Sequence, residues 1–217
     1  MASKVSKDGR PTARLTPRGA VTKARIVAEA ASLVRERGVA GTSLDAVMTA
    51  SATSRSQLYH YFDNKDALIS EVIKTQLGRV IAAQEPCLRE VSSWDGLQRW
   101  CDHLVTMTRA TQGVGGCPLG SLVGELADRS DSARHELAQS FAEWQSYLSK
   151  GFAVMRDNGE LSPDADPDEL ALTMMTALQG GLLMAQAVRS ARPLQLALNM
   201  ALGHIATKKA ASSGNCD

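Results

Sequence analysis

The chain has 217 residues, 44% hydrophobic but only 4% aromatic, enough for one large domain or two small ones sharing a core, and its Ala, Leu and Met favour helix over sheet. The formal charge of +1 hides an asymmetry: residues 1–75 carry 12 basic against 7 acidic side chains, a net of +5, and residues 76–217 carry 12 against 16, a net of −4. That division predicts a polyanion-binding N-terminal part and an acidic body. Cys87, Cys101, Cys117 and Cys216 form no CxxC and no apolar signal segment opens the chain; the expectation is reduced thiols in a cytoplasmic protein, which excludes a disulfide scaffold. The longest apolar run falls short of the ~20 residues of a membrane span, so no membrane partner is expected.

In chain order, residues 1–21 carry Lys4, Lys7, Arg10, Arg14 and Arg18 with Pro11 and Pro17 and read as a disordered basic arm. It is either a solubilising tail or an arm that lies along phosphates or in a minor groove. Thr22 is the expected cap of a helix to Arg37, with Ile26, Ala30, Leu33 and Val34 on one face and Gly38 as its stop. Thr42 with Asp45, Ser54 with Gln57, and Asp63 with Asp66 then form three successive helix starts of the capping-box kind. Between them Leu44, Val47 and Met48 bury one face of a short helix, and Ser54 to Phe62 makes a second. Two short helices joined by a tight turn predict a helix-turn-helix, whose second helix enters the major groove.

From Lys65, the positions Leu68, Ile69, Val72, Ile73, Leu77, Val80 and Ile81 mark a long helix ending near Pro86. Another is expected from Ser93 to about Ala110, with Trp94, Leu97, Cys101, Leu104 and Val105 inward. The Gly-rich stretch Gly113–Ser121 fails as a phosphate loop, because Pro118 stands where GxGxxG needs glycine and no GK[ST] follows. Ser121 likewise sits one residue too early for a nucleophile elbow. A permissive turn before a short helix, Leu119–Asp128, is the better reading. Amphipathic helices follow over Asp131–Asn158, from Asp166-Pro167 to Val188, and from Pro193 through Ile205, with a loose polar tail from Lys208. No segment alternates as a strand does, and there is no internal repeat. The predicted class is all-α: a three-helix DNA-binding head on a larger helical body. The expected divisions are an arm (1–21), a helix-turn-helix (22–67), a larger helical domain (68–208) and a flexible tail (209–217).

Residues 20–70 resemble the TetR family of bacterial transcriptional repressors. The resemblance rests on the first helix TKARIVAEAASLVRERG, the start TSLDAV, and SRSQLYHYFDNKDAL, which matches the recognition helix and its Tyr-x-x-Phe-x-x-Lys continuation. The segment GCPLGSLVGELAD is similar to that of drug- and flavonoid-responsive members. One departure lies in the turn, where the family usually has Ala-Gly-Val-Ser and this chain has Ser51-Ala52-Thr53-Ser54. The Gly position tends to need positive φ, which costs another residue roughly 1 kcal/mol.

The resemblance implies that Arg55, Ser56, Gln57 and Tyr59 face the groove, with Thr42, Ser43, Tyr61 and Lys65 on phosphates and His60 beside them. By its chemistry Arg55 suits guanine O6 and N7, or else a phosphate; Gln57 either reads adenine or completes the cap on Ser54. The resemblance also implies a homodimer on a near-palindromic double-stranded operator, paired through the last two long helices as a four-helix bundle. Gly180-Gly181 reflects either close helix approach or an internal cavity. A small apolar or aromatic effector would occupy a cavity in the body and release the protein from DNA. Its candidate lining is Trp100, Met107, Leu122, Phe141, Trp144, Tyr147, Met174, Met175 and Leu178, with His103, Arg109, Gln145 and Gln179 as polar anchors.

Two other classes compete: a helix-turn-helix protein controlled by a partner protein or by cysteine redox, and a helical enzyme or carrier with a vestigial head. The sequence has no metal-ligand spacing and no surviving nucleophile motif, which argues against an enzyme; no cofactor or metal is expected.

Overall fold

The computed structural model describes residues 15–210. The chain divides after Leu68 into two compact units. Regular structure among the described residues is helical, apart from one isolated antiparallel bridge between Leu161 and Lys209.

In the N-terminal unit, α1 runs Pro17–Arg37. Its cap is Thr16, whose hydroxyl accepts the Gly19 N–H at 3.1 Å, with Pro17 in the first helical position. A Thr-Pro pair satisfies one terminal donor and presets φ, so the helix begins five residues before Thr22. Thr22 sits inside it and donates to the Arg18 carbonyl at 3.0 Å. Residues 17–21, expected in the disordered arm, are therefore helical, and residues 1–14 of that arm lie outside the described residues. Gly38, at φ 71°, ends α1 by donating its N–H to the Val34 carbonyl.

The next helix, α2 (Leu44–Ala50), is capped by Ser43 and not by Thr42: the Ser43 hydroxyl accepts the Ala46 N–H at 3.1 Å. Helix α3 (Arg55–Tyr61) carries the expected capping box, with the Gln57 N–H on Ser54 Oγ at 3.2 Å and the Ser54 N–H on Gln57 Oε1 at 2.9 Å. In the turn between them Ala52 has φ 48°. Its neighbours brace it, since the Ser51 hydroxyl donates to the Val47 carbonyl and lies 2.7 Å from that of Thr53. Helix α4 (Lys65–Gln84) starts behind Asn64, whose Oδ1 accepts the Ala67 N–H at 2.9 Å. Asn64 thus replaces the expected start at Asp63, its side chain being one residue closer to the open N–H groups. Ile26, Ala30, Val34, Val47, Leu58 and Phe62 are buried, while Leu44 and Met48 are only half-buried.

In the second unit α4 continues with Ile69, Val72, Ile73 and Leu77 buried. A 3-10 turn, Cys87–Glu90, precedes α5 (Trp94–Ala110), α6 (Pro118–Leu126), α7 (Asp131–Asp157), α8 (Pro167–Val188) and α9 (Arg192–Ala206). Helix α8 packs along α9 and α7. At Gly181 a Cβ would stand 2.8 Å from the Leu194 Cα, so this glycine permits the close approach of α8 to α9. Gly180 beside it faces open space, so each of the two glycines has its own role. The Gly-rich stretch is a turn laid against α8: Gly113 has φ 73°, and a Cβ there would fall 2.4 Å from the Ala185 carbonyl oxygen.

The expectation of a loose tail from Lys208 changes here. Lys208 to Ala210 are not loose, because the Ser162 N–H donates to the Lys208 carbonyl at 2.8 Å and the Ala210 N–H to that of Glu160 at 3.3 Å. Of the expected tail, residues 211–217 lie outside the described residues. Helix α8, by length and composition, is long and apolar enough to cross a membrane, with a third of that stretch buried. Polar breaks at Thr173, Thr176 and Gln179 conceal it in the sequence. Its exposed apolar side chains, Leu172, Leu183, Met184 and Val188, join Leu196 and Met200 of α9 as exposed apolar surface.

Candidate nucleic-acid interface and effector cleft

The exposed side of α3 is short and polar. Arg55, Ser56, Gln57, Tyr59 and His60 are all exposed, and Leu58 between them is fully buried, which fixes the helix against the unit's core. The Arg55 guanidinium lies 5.9 Å from the centre of the Tyr59 ring, a cation–π pair one turn apart that limits the wandering of the arginine. Gln57 spends its oxygen on the cap; its amide N–H groups are left to point elsewhere. His60 meets Tyr61 edge-on, with ring centres 4.9 Å apart. Tyr61 is half-buried, its hydroxyl over Gly19, where a Cβ would stand 3.4 Å away. This places the N-terminus of α1, with Thr16 and Gly19, beside the end of α3. Assigning the cap to Thr22 hides that neighbour, and the Thr16-Pro17 pair is the signal that reveals it.

Three of the expected phosphate contacts are employed within the unit. Thr42 is 3% exposed, and its hydroxyl donates to the Gly38 carbonyl at 2.8 Å, which turns its side chain into the unit and away from the surface where a phosphate was expected. Ser43 is exposed but holds the N-terminus of α2. Lys65 is half-buried and its ammonium donates to the Val39 carbonyl, tying the start of α4 to the loop after α1. A lysine stem can cross apolar surface to reach such a carbonyl, an option that spacing alone does not reveal.

In the second unit the main cleft, about 700 Å³, opens among α6, α7 and α8. Cys117, Gly120, Ser121, Val123 and Gly124 form one wall, Phe141 another, and Leu172, Met175, Thr176, Gln179, Gly180, Leu183 and Gln186 the third. Gly120 and Gly124 are four apart and share a face of α6. A Cβ on Gly124 or Gly180 would meet nothing within 4 Å. Missing side chains create this space. Of the expected lining only Phe141 and Met175 are present, with Gln179 as the one expected polar anchor.

The other expected lining residues fall elsewhere. Trp100, Leu122, Trp144, Met174 and Leu178 are buried core, because bulky side chains fill space and seldom leave it. Met107 and Arg109 are exposed on α5, His103 is engaged with the Ala83 carbonyl at 3.0 Å, and Gln145 donates to the Asp168 carbonyl at 3.5 Å. Tyr147 lines a second groove with Lys74, Glu85, Arg89, Glu136 and Glu143. Lys74–Glu136 at 3.2 Å and Arg89–Glu85 at 2.7 Å are paired there. Burial works against the Lys74 charge, but Glu136 and Glu71 outweigh it and raise its pKa. A groove lined by ion pairs is a poor home for an apolar molecule.

Cys117 caps α6, its Sγ accepting the Gly120 N–H at 3.4 Å. Burial pushes its thiol pKa up, against the Gly120 and Leu119 N–H groups and Gln179, which favour the thiolate. Burial also pushes Cys101 up to about 12, with Asp102 adding to it. Both shifts favour the neutral thiol over the thiolate. Among the described residues no group of three or more His, Cys, Asp or Glu is placed to hold a metal ion.

Two family models match the chain. Residues 26–72 match the model for bacterial regulatory proteins of the tetR family, and residues 94–201 match a tetracyclin repressor-like C-terminal domain. The chain is 25% identical to the HTH-type transcriptional repressor DhaR of Mycobacterium sp. (strain GP1), over 78% of this chain and 84% of that protein. It is 25% identical to the HTH-type transcriptional repressor NemR of Escherichia coli, over 86% and 94%. Among solved structures, a TetR-family regulator from Cytophaga hutchinsonii superposes with a TM-score of 0.77 at 21% identity, covering 92% of this chain and all of that one. That last likeness is one of fold.

Proposed function

We propose that this chain, which belongs to the TetR family of bacterial transcriptional regulators, is a ligand-responsive repressor. In this reading it works in the cytoplasm, binds a near-palindromic operator as a homodimer and leaves it when a small apolar or aromatic molecule enters the α6–α7–α8 cleft. The observation that carries the reading is the exposed Arg55–Tyr59 side of α3 on a fully capped helix, within the residues matched by the DNA-binding family model. Arg55 and Tyr59 read base edges, and Gln57 contributes its amide N–H groups. Ser56, His60 and Tyr61 approach the backbone with the N-terminus of α1.

One seven-residue helix contacts too little DNA for a useful operator, so two copies are required. The exposed apolar side chains that do not line the cleft, Met184 and Val188 of α8 with Leu196 and Met200 of α9, support pairing through those helices. Effector release then requires that the ligand favour a head spacing that no longer spans two successive major grooves. The names of DhaR and NemR as repressors support repression over activation.

A gel-shift titration on DNA flanking the protein's own gene, at two salt concentrations, tests this. The expected result is a sequence-selective complex, with two protomers per site, that aromatic compounds dissolve. Steep salt dependence without sequence preference would sink it.

A further inference from the structure

Taking the cleft as the effector site, we infer that its ligand is a neutral, largely apolar molecule carrying one hydrogen-bond acceptor, a carbonyl above all, which Gln179 receives. No lining residue of the cleft is charged. A carboxylate or ammonium entering it would give up hydration and find no counter-ion, which favours a neutral ligand over an ion.

Of the polar side chains of the wall, those of Ser121 and Cys117 are engaged within it. The Ser121 hydroxyl donates to the Cys117 carbonyl at 3.1 Å, and Cys117 Sγ takes the Gly120 N–H. Gln186 lies against Gly116, its Oε1 2.4 Å from where a Cβ would stand. Gln179 is different: its Nε2 is buried and makes no hydrogen bond of ordinary geometry, although the carboxamide lies near enough to Cys117, a weak acceptor, to favour its thiolate. Its Oε1 lies over Gly120, 3.2 Å from a would-be Cβ, so the absent side chain there admits the carboxamide to the wall. A buried amide donor without an acceptor is costly, and a ligand that supplies the acceptor recovers that cost while a hydrocarbon of the same shape does not. The remaining surface, Val123, Phe141, Leu172, Met175 and Leu183, takes the apolar body of the molecule.

The test uses the full chain and four probes of one shape family, followed by ligand-observed NMR titration: acetophenone, ethylbenzene, benzoate and benzylammonium. Acetophenone does not alkylate thiols, which keeps Cys117 out of the readout. Acetophenone is expected to bind about tenfold tighter than ethylbenzene, and neither ion to bind. Gln179→Met should bring acetophenone down to the level of ethylbenzene and leave ethylbenzene unchanged, and Gly124→Leu should abolish both. Equal binding of acetophenone and ethylbenzene, tighter binding of either ion, or a preference that survives Gln179→Met overturns the inference and leaves the cleft reading standing. If no probe binds, or Gly124→Leu changes nothing, the cleft reading itself fails and this inference with it.

Discussion

The α3 face and the α6–α7–α8 cleft are built on opposite logics. On α3 the same polar side chains that can meet DNA also hold the helix: Gln57 closes the cap on Ser54, and Arg55 rests on Tyr59. In the cleft the distinguishing feature is absence, since Gly124 and Gly180 leave room that Phe141 and Met175 border, and Gly120 makes place for Gln179. A surface built from groups that are present tolerates small changes by degrees. One built from a void is lost at a stroke, because a single new side chain occupies it.

The largest expected effect follows from that. Gly124→Leu should leave folding and operator binding intact, since its Cβ meets nothing within 4 Å. Replacing glycine in a helix also gains up to ~1 kcal/mol of helix propensity. The effector response should disappear, as read by release of operator DNA in gel shifts with and without compound. A variant that still responds would show that ligand binds elsewhere.

On the DNA side the effects should be graded. Arg55→Ala should cost about 1–3 kcal/mol on the preferred operator, roughly 10- to 100-fold, and nothing on an operator already altered at the contacted base pair. Lys65→Met should weaken all sequences alike. Because its ammonium is given to the Val39 carbonyl, the loss should come with a lower melting temperature and an unchanged salt slope. A slope reduced by about one, with stability intact, would return Lys65 to the phosphates.

Much of the head was legible because its signals are local. Ser54 with Gln57 and the buried Leu58 and Phe62 stand where spacing placed them, and in the body so does the helix start at Asp166-Pro167. Thr42 was misplaced because Ser43, its neighbour, competes for the same cap and wins, leaving Thr42 to turn inward. The cleft was less legible for a different reason. Large side chains were expected to line it, and packing claimed Trp100, Trp144, Met174 and Leu178 for the core. The Gly120/Gly124 spacing is visible in the sequence, but that it borders a void depends on which residues α7 and α8 set opposite.

The two buried indoles repeat the contrast between a satisfied group and an open one. Trp100 Nε1 donates to Gln84 Oε1 at 2.9 Å, whereas Trp144 Nε1 has no partner. Trp100→Phe strands the buried Gln84 oxygen and should cost about 1–3 kcal/mol beyond the change in packing. Trp144→Phe strands nothing, keeps a ring beside Phe141, and should cost less. Thermal melts of the two variants compare them directly, and an equal loss would mean that volume, not hydrogen bonding, sets both.

The smallest expected effect lies in the turn before α3, where Ala52 holds φ 48°. A left-handed conformation costs an L-residue with a Cβ roughly 1–2 kcal/mol, and glycine avoids that. Glycine also gives the unfolded chain more freedom, which returns about 0.4–1 kcal/mol in the opposite direction. Ala52→Gly should therefore stabilise by only about 0.5–1 kcal/mol, a rise of about 1–4 °C in Tm for a chain of this size. Ala52→Asn separates the two contributions, because asparagine tolerates the left-handed region without the entropy of glycine. Both substitutions should raise Tm and leave operator affinity unchanged, since Ala52 lies in the turn and not on α3. A fall in Tm for both would mean that Ser51 and Thr53, whose hydroxyls lie 2.7 Å apart, fix a turn that already suits alanine.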